Sequence, residues 1–253
     1  MLLHYKELGE GKPLVILHGL FGTSDNWQTH AKKLGEYYHV ILVDQRNHGH
    51  SPWSEDFTYE YLADDLERLI IHLGIDQFTL IGHSMGGKTA MYYSQKYPTR
   101  LEKMVIVDIG IKQYPMHHNE IIKGIKSLDL TTISSRSAAE QAMIPFVDSY
   151  GVRQFLLKNL YWVEKGKLAW RMNVDVLERE MEEILAPIPN IEVWTPTLFL
   201  RGAMSNYILD EDWDAIEEIF PDATLETIEN AGHWVHSEQP DEFIETVLGF
   251  IIR

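Results

Sequence analysis

The sequence predicts an α/β protein built on a mostly parallel sheet flanked by helices, and three observations carry that prediction. Short unbroken apolar runs recur along the chain. Amphipathic helical patterns separate them. The alternation breaks once, over residues 112–195, where helical patterns predominate. Unbroken apolar runs of this length fit strands covered on both faces, as in parallel sheets. Regular strand–helix alternation argues for the same class.

The elements follow in order. Leu14-Val15-Ile16-Leu17 ends in His18-Gly19, and Val40-Ile41-Leu42-Val43 ends in Asp44. Leu62, Leu66, Leu69, Ile70 and Leu73 then share one helix face, and Gly74 stops it. Phe78-Thr79-Leu80-Ile81 runs into Gly82, residues 85–97 have helical character, and Pro98 ends them. Met104-Val105-Ile106-Val107 ends in Asp108, and Thr197-Leu198-Phe199-Leu200 ends in Arg201-Gly202. A short strand-like run covers residues 224–228. Phe243, Ile244, Val247 and Ile251 form a last amphipathic helix after Pro240. Between these, residues 112–195 are rich in large apolar side chains and exit through Pro187, Pro189 and Pro196. They read as a helical insertion packed over one end of the sheet. The chain thus divides into a core of residues 1–111 and 196–253 and an insertion of residues 112–195.

Composition narrows the function. The chain of 253 residues has no cysteine, so a disulfide framework, a thiolate metal site and a cysteine nucleophile are excluded. Lys and Arg total 22 against 38 Asp and Glu, a formal charge of −16 that disfavours nucleic acid and anionic membrane surfaces. Residues 1–5 are apolar, but Lys6 and Glu7 interrupt them well short of a signal-peptide core. No stretch approaches the roughly 18 apolar residues that span a bilayer. The expectation is a cytoplasmic protein. No heptad pattern sets an oligomeric state.

Gly82-His83-Ser84-Met85-Gly86 is a G-x-S-x-G between a buried strand and a helix, the context in which this motif presents a nucleophilic serine. Small residues at 82 and 86 allow the tight turn, and the helix dipole at Ser84 favours developing negative charge. A serine hydroxyl needs a base. Of the 12 histidines, His233 lies in a loop after a late strand-like run, where it can reach back to Ser84; His236, three residues on, is the competitor. The tetrahedral intermediate needs two oxyanion donors. Met85 N–H is one. His18-Gly19-Leu20-Phe21-Gly22 supplies the other, with Leu20 preferred and Phe21 second. The pairs His117-His118 and His48-x-His50 lack a carboxylate at ligand spacing, so no metal is expected.

HGLFG at 18–22, DQRNHGHS at 44–51, GHSMGGKTAM at 82–91 and the Gly232-His233 box together resemble the α/β-hydrolase superfamily, and more narrowly its small acyl esterases and thioesterases. The resemblance implies an eight-stranded, mostly parallel sheet, a helical cap inserted after the sixth strand, and no cofactor. It makes Asp44 to Gly49 a structural turn. It also marks a departure. Most members carry the acid of the triad after the seventh strand, a few residues beyond a Gly, and here that position holds Ser205. An imidazolium needs a carboxylate beside it. Asp108, at the end of the neighbouring strand about 5 Å away, is the candidate, ahead of Asp210 and Asp212. Ser205 is left to help position His233.

The expected activity is hydrolysis of small to medium acyl esters through a Ser84–His233–Asp108 triad and an acyl-enzyme, with thioesters left open. The same triad also serves C–C hydrolase, lyase and acyltransferase chemistry, and a non-catalytic receptor can retain the scaffold. Phe21, His83, Met116, Trp162 and Trp170 are candidate pocket residues. Lys112, Lys123, Lys126 and Arg136 are a candidate site for the phosphates of an acyl-CoA, weighed against ordinary solvated helix faces.

Overall fold

The apolar runs become the inner strands of one seven-stranded sheet in the order Tyr5–Leu8, Tyr38–Val43, Lys12–Leu17, Phe78–His83, Leu101–Val107, Thr197–Gly202 and Ala223–Ile228, parallel except for the first. The computed structural model describes residues 1–116 and 118–252. The chain enters through β1 (Tyr5–Leu8) and β2 (Lys12–Leu17), then α1 (Gln28–Leu34) and β3 (Tyr38–Val43). It continues through α2 (Tyr59–His72), β4 (Phe78–His83), α3 (Met85–Lys96) and β5 (Leu101–Val107). Thr58 caps α2 by accepting a hydrogen bond from Tyr61 N–H, and Gly74 at φ 67° ends it.

The period-2 alternation of strand side chains splits each run between two apolar layers. Val15, Leu17, Leu80, Met104 and Ile106 face the side covered by α2 and α3. Leu14, Ile16, Ile81, Val105 and Val107 face the side covered by α1 and the last helix. This is why the runs are apolar at every position. Strand β1 is short and charged, as suits an edge that pairs on one side only.

Residues 112–195 hold α4 (Asn119–Lys126), α5 (Arg136–Met143) and α6 (Tyr150–Leu157), then a hairpin of β6 (Leu160–Glu164) and β7 (Lys167–Trp170), then α7 (Val174–Arg179) and α8 (Met181–Leu185). The hairpin corrects the expectation of helices throughout. Leu160-Tyr161-Trp162-Val163 is a short apolar run that periodicity alone cannot assign, and Gly166 at φ 82° provides the turn. Two backbone hydrogen bonds join the ends of the segment: Tyr114 N–H to Leu185 O at 2.9 Å and Ile188 N–H to Ile111 O at 3.0 Å. Its buried side chains, among them Ile122, Ile125, Met143 and Leu156, continue the apolar layer that holds Leu17 and Leu80.

The chain then completes the sheet with β8 (Thr197–Gly202), α9 (Trp213–Ile219) and β9 (Ala223–Ile228), and closes with α10 (Val235–Glu238) and α11 (Pro240–Ile251). The resemblance implies eight strands; among the described residues the main sheet has seven, with one strand before Lys12. The insertion accordingly follows the fifth strand in chain order, not the sixth. No helix among the described residues is long and apolar enough to cross a membrane.

Candidate active site

The register of the parallel strands sets the site. Leu17 pairs with both Val43 and Gly82, His83 with Val107, and Val107 with Leu200. The residues that follow β2, β3, β4 and β5 therefore leave one end of the sheet together: His18, Asp44, Ser84 and Asp108.

Ser84 sits at φ 52° and ψ −120°, a strained conformation for a residue with a side chain. Its carbonyl opens α3 by accepting from Gly87 N–H (2.8 Å) and Lys88 N–H (3.1 Å). The flanking glycines are steric requirements. A Cβ on Gly82 would lie 2.3 Å from Gly86 O, and one on Gly86 would lie 2.5 Å from Leu17 O.

Asp108 is fully buried, also at positive φ (50°). Its Oδ1 accepts Gly202 N–H at 3.1 Å. Its Oδ2 accepts the Ser205 hydroxyl at 2.5 Å and His233 Nδ1–H at 2.8 Å. With Nδ1 donating, the free nitrogen of the imidazole is Nε2, the one a base needs. Ser205, standing where the usual acid would be, thus braces Asp108 rather than touching His233 directly. Among the described residues no hydrogen bond joins Ser84 to His233; both line one cleft of about 480 Å³. Such links are often long in unliganded enzymes and tighten with substrate.

Three further contacts fix the His233 ring and backbone, and sequence reasoning did not foresee them. Tyr207 stacks on the ring with centroids 3.9 Å apart. Tyr114 hydroxyl holds the Tyr207 carbonyl at 2.7 Å. His83 Nε2–H donates to His233 O at 2.9 Å. Burial pushes His83 down to about 3, with the positive end of any protonated His233 adding to the effect, so it works as a neutral donor. His236 packs behind, stacked 4.2 Å from Trp27 and driven well below its ordinary value by burial. The other candidate acids are engaged elsewhere: Asp210 pairs with Arg201 at 2.6 Å, and Asp212 with Lys112.

The loop after β2 is braced from the DQRNHG turn. Phe21 N–H donates to His48 Nε2 at 3.2 Å, which occupies the second-choice oxyanion donor and leaves Leu20. His48 Nδ1–H donates to Arg46 O at 2.9 Å, and burial holds this histidine neutral, down to about 3. His18 repeats the pattern, accepting from Gln45 N–H at 3.0 Å and donating to Gly19 O at 2.8 Å. Met85 N–H belongs to the first turn of α3 and has no intrahelical acceptor. Asp44 accepts from Ser24 N–H (2.7 Å) and His50 N–H (2.9 Å) and stays ionised despite burial, its carboxyl held below the usual range.

Phe21 and His83 line the cleft. Met116, Trp162 and Trp170 do not, which corrects that expectation. Met116 is 44% exposed over a separate depression beside Lys123 and Phe146. Trp162 is half exposed on the hairpin, and Trp170 packs into the apolar layer. The insertion contributes Ile121 from α4 and Val152, Phe155 and Leu156 from α6 instead. Their i, i+3, i+4 spacing on α6 was the available signal. The candidate phosphate-binding cations are spread and engaged: Lys112 with Asp212, Lys123 with Glu120, Lys126 with Glu178, and Arg136 on Leu160 O. Both ring nitrogens of His48 are engaged within the fold, and His50 Nδ1 takes Arg171 at 3.1 Å; of the pair His117-His118, His117 lies outside the described residues.

A family profile described as alpha/beta hydrolase fold matches residues 12–134. The chain is 38% identical over 247 residues to sn-1-specific diacylglycerol lipase ABHD11 of Mus musculus, covering 94% of this chain and 80% of that protein. It is 36% identical over 241 residues to esterase YbfF of Escherichia coli K12, covering 94% and 92%. Among solved structures, a marine microorganism esterase superposes with a TM-score of 0.96 at 41% identity, over 99% of each chain.

Proposed function

The chain belongs to the α/β-hydrolase fold family and is a carboxylic-ester hydrolase; from that premise we propose that it cleaves its substrates through an acyl-enzyme on Ser84, with His233 as base and Asp108 as the acid of the triad. The observation that carries this reading is the His233 Nδ1–Asp108 Oδ2 bond of 2.8 Å, in a cleft that Ser84 also lines.

Ser84 Oγ attacks the acyl carbon while His233 Nε2 takes its proton. Asp108 stabilises the imidazolium that forms. The carbonyl oxygen becomes an oxyanion between the N–H groups of Leu20 and Met85; losing one such donor typically costs about 3 kcal/mol. His233 then returns the proton to the leaving oxygen or sulfur, and the C–O or C–S bond breaks. In the second half a water loses a proton to His233 and attacks the acyl carbon; the bond from that carbon to Ser84 Oγ then breaks as His233 gives the proton to Oγ, releasing the acid and free Ser84. Oxygen esters and thioesters both fit this sequence, since neither half depends on which atom leaves.

The experiment is turnover of p-nitrophenyl acetate and butyrate by wild type and Ser84→Ala. Wild type should release p-nitrophenol with an initial burst where deacylation limits, and Ser84→Ala should be inactive. Turnover retained by Ser84→Ala would overturn the assignment. Absence of turnover in the folded wild type on any ester would favour a ligand receptor on the same scaffold.

A further inference from the structure

Ser84 stands between two cavities of very different size. The open cleft of about 480 Å³ is lined by His233. Adjoining it, and sharing Leu20, Ser84 and His118 with it, lies a much smaller chamber of about 20 Å³. Its walls are Leu20, Ser84 and Met85 from the core and Tyr114, Ile184 and Leu185 from the insertion. His233 is not part of it.

Acyl transfer decides which half of a substrate enters which cavity. The base that deprotonates Ser84 must hand its proton to the leaving atom. The leaving group therefore lies on the His233 side, in the open cleft. The carbonyl oxygen points at the N–H groups of Leu20 and Met85. The remaining substituent, the acyl chain, is directed away from His233, towards the chamber.

Hydrogen bonds fix the wall that the insertion contributes to the chamber. Lys88 is buried and donates to Lys112 O (3.0 Å), Leu185 O (3.3 Å) and Ala186 O. Tyr59 hydroxyl holds Ile184 O at 2.7 Å. Tyr114 hydroxyl accepts Gly110 N–H and donates to Tyr207 O, both at 2.7 Å. These polar groups are spent on backbone, so what faces the space is mostly hydrocarbon. A space of this size holds about one water-sized group, which is the scale of a single methyl. The open cleft, by contrast, carries Ser149, Gln154 and Lys158 on the insertion side.

We propose that this protein selects acetyl-sized acyl groups carried on large, polar alcohol or thiol leaving groups, because the chamber behind Ser84 admits little more than a methyl while the His233 side is open. The proposal rests on Ser84 as nucleophile and adds what that reading leaves open, the division of the substrate between the two cavities.

The test is kcat/KM along a p-nitrophenyl series of acetate, butyrate, hexanoate and octanoate, with acetyl-CoA against hexanoyl-CoA as the thioester arm. Misfit methylenes in a pocket are worth roughly 10- to 200-fold each, so wild type should fall by at least about 100-fold from acetate to hexanoate. Leu185→Ala and Ile184→Ala each remove chamber wall and should move the optimum to butyrate or longer. Phe155→Ala, in the open cleft, should change KM for bulky leaving groups without moving the acyl optimum. A wild-type series that is flat or rises with chain length overturns the proposal. So does an unchanged series in a folded Leu185→Ala or Ile184→Ala; if neither folds, the wild-type series decides alone. Activity that survives Ser84→Ala would instead overturn the nucleophile, and the proposal with it, so the two failures are distinguishable.

Discussion

Asp108 shows how much one residue's placement can say about chemistry. A buried carboxylate is costly unless it is paired and hydrogen-bonded, and this one receives three donors: Gly202 N–H, the Ser205 hydroxyl and His233 Nδ1–H. Asp108→Asn keeps the shape but can present an amide N–H to Nδ1, which favours the wrong tautomer. The expectation is a kcat drop of about 10⁴-fold with KM little changed. Steady-state kinetics on p-nitrophenyl acetate checks it, and near-wild-type kcat alongside a crippled Asp210→Asn would refute it. At this scale the sequence was most informative where a rule was broken. Ser84 was legible from glycines that only a tight turn requires. Asp108 was legible because the position beyond Gly202 holds a serine. Tyr207, stacked on His233, was not legible: it is one aromatic among many, and only the three-dimensional loop brings its face to the imidazole.

Among the elements, α3 does more than carry the nucleophile. Lys88, one turn from Ser84, bonds carbonyls from both ends of the inserted segment and lies 5.0 Å from the Tyr114 ring centroid. Burial lowers its pKa from 10.5 to about 7, with Glu183 the opposing charge. The unfolded chain holds this proton up to about pH 10.5, so between pH 7 and 10.5 it binds more protons than the folded one. Wild-type stability contributed by this group therefore rises with pH across that window, by up to about 1.4 kcal/mol per unit. Lys88→Met lacks the rise. Chemical denaturation should show wild type gaining on the variant from pH 7 to pH 9, and a constant difference would exclude the linkage. The variant's three carbonyls also lose their donor, which should loosen the chamber wall and lower activity on acetate. The strands and helices of the core were legible because each has an unambiguous period. The hairpin β6–β7 was not, since a four-residue apolar run fits either state, and β1 was masked by its edge charges.

For the molecule as a whole, the distribution of histidines matters more than the charge of −16. His18, His30, His48, His83 and His236 are all buried, and burial lowers each below the ordinary 6.5. His48 and His83 come down to about 3. Their folded-state pKa is depressed, so below pH 6.5 the unfolded chain takes up protons that the folded one refuses, and stability falls as pH falls. His48 and His83 alone amount to about 3 kcal/mol between pH 6.5 and pH 5. For a chain of this size that corresponds to about 10 °C in Tm. Calorimetry from pH 7.5 to 5 should show that decline beginning near 6.5, above the range where carboxylates titrate; a Tm unchanged down to pH 5 would contradict it. None of this was legible in sequence, where a histidine in DQRNHG and one on the surface look alike.

The pairing of Tyr114 with Leu185 and of Ile188 with Ile111 means that some seventy residues leave the core and return at almost the same point. To the sheet, that excursion is equivalent to a closed loop, whose length changes the entropy of closure only slowly. The segment is therefore exchangeable in a way the strand ends that hold Ser84 and Asp108 are not. Another sequence of different length, offering a matching apolar underside and the same two anchor points, can take its place without shifting the register that aligns Ser84, Asp108 and His233. The cleft wall that the insertion provides and the strand ends beneath it are thereby carried by separable stretches of one chain, so that the first can diversify while the second stand still.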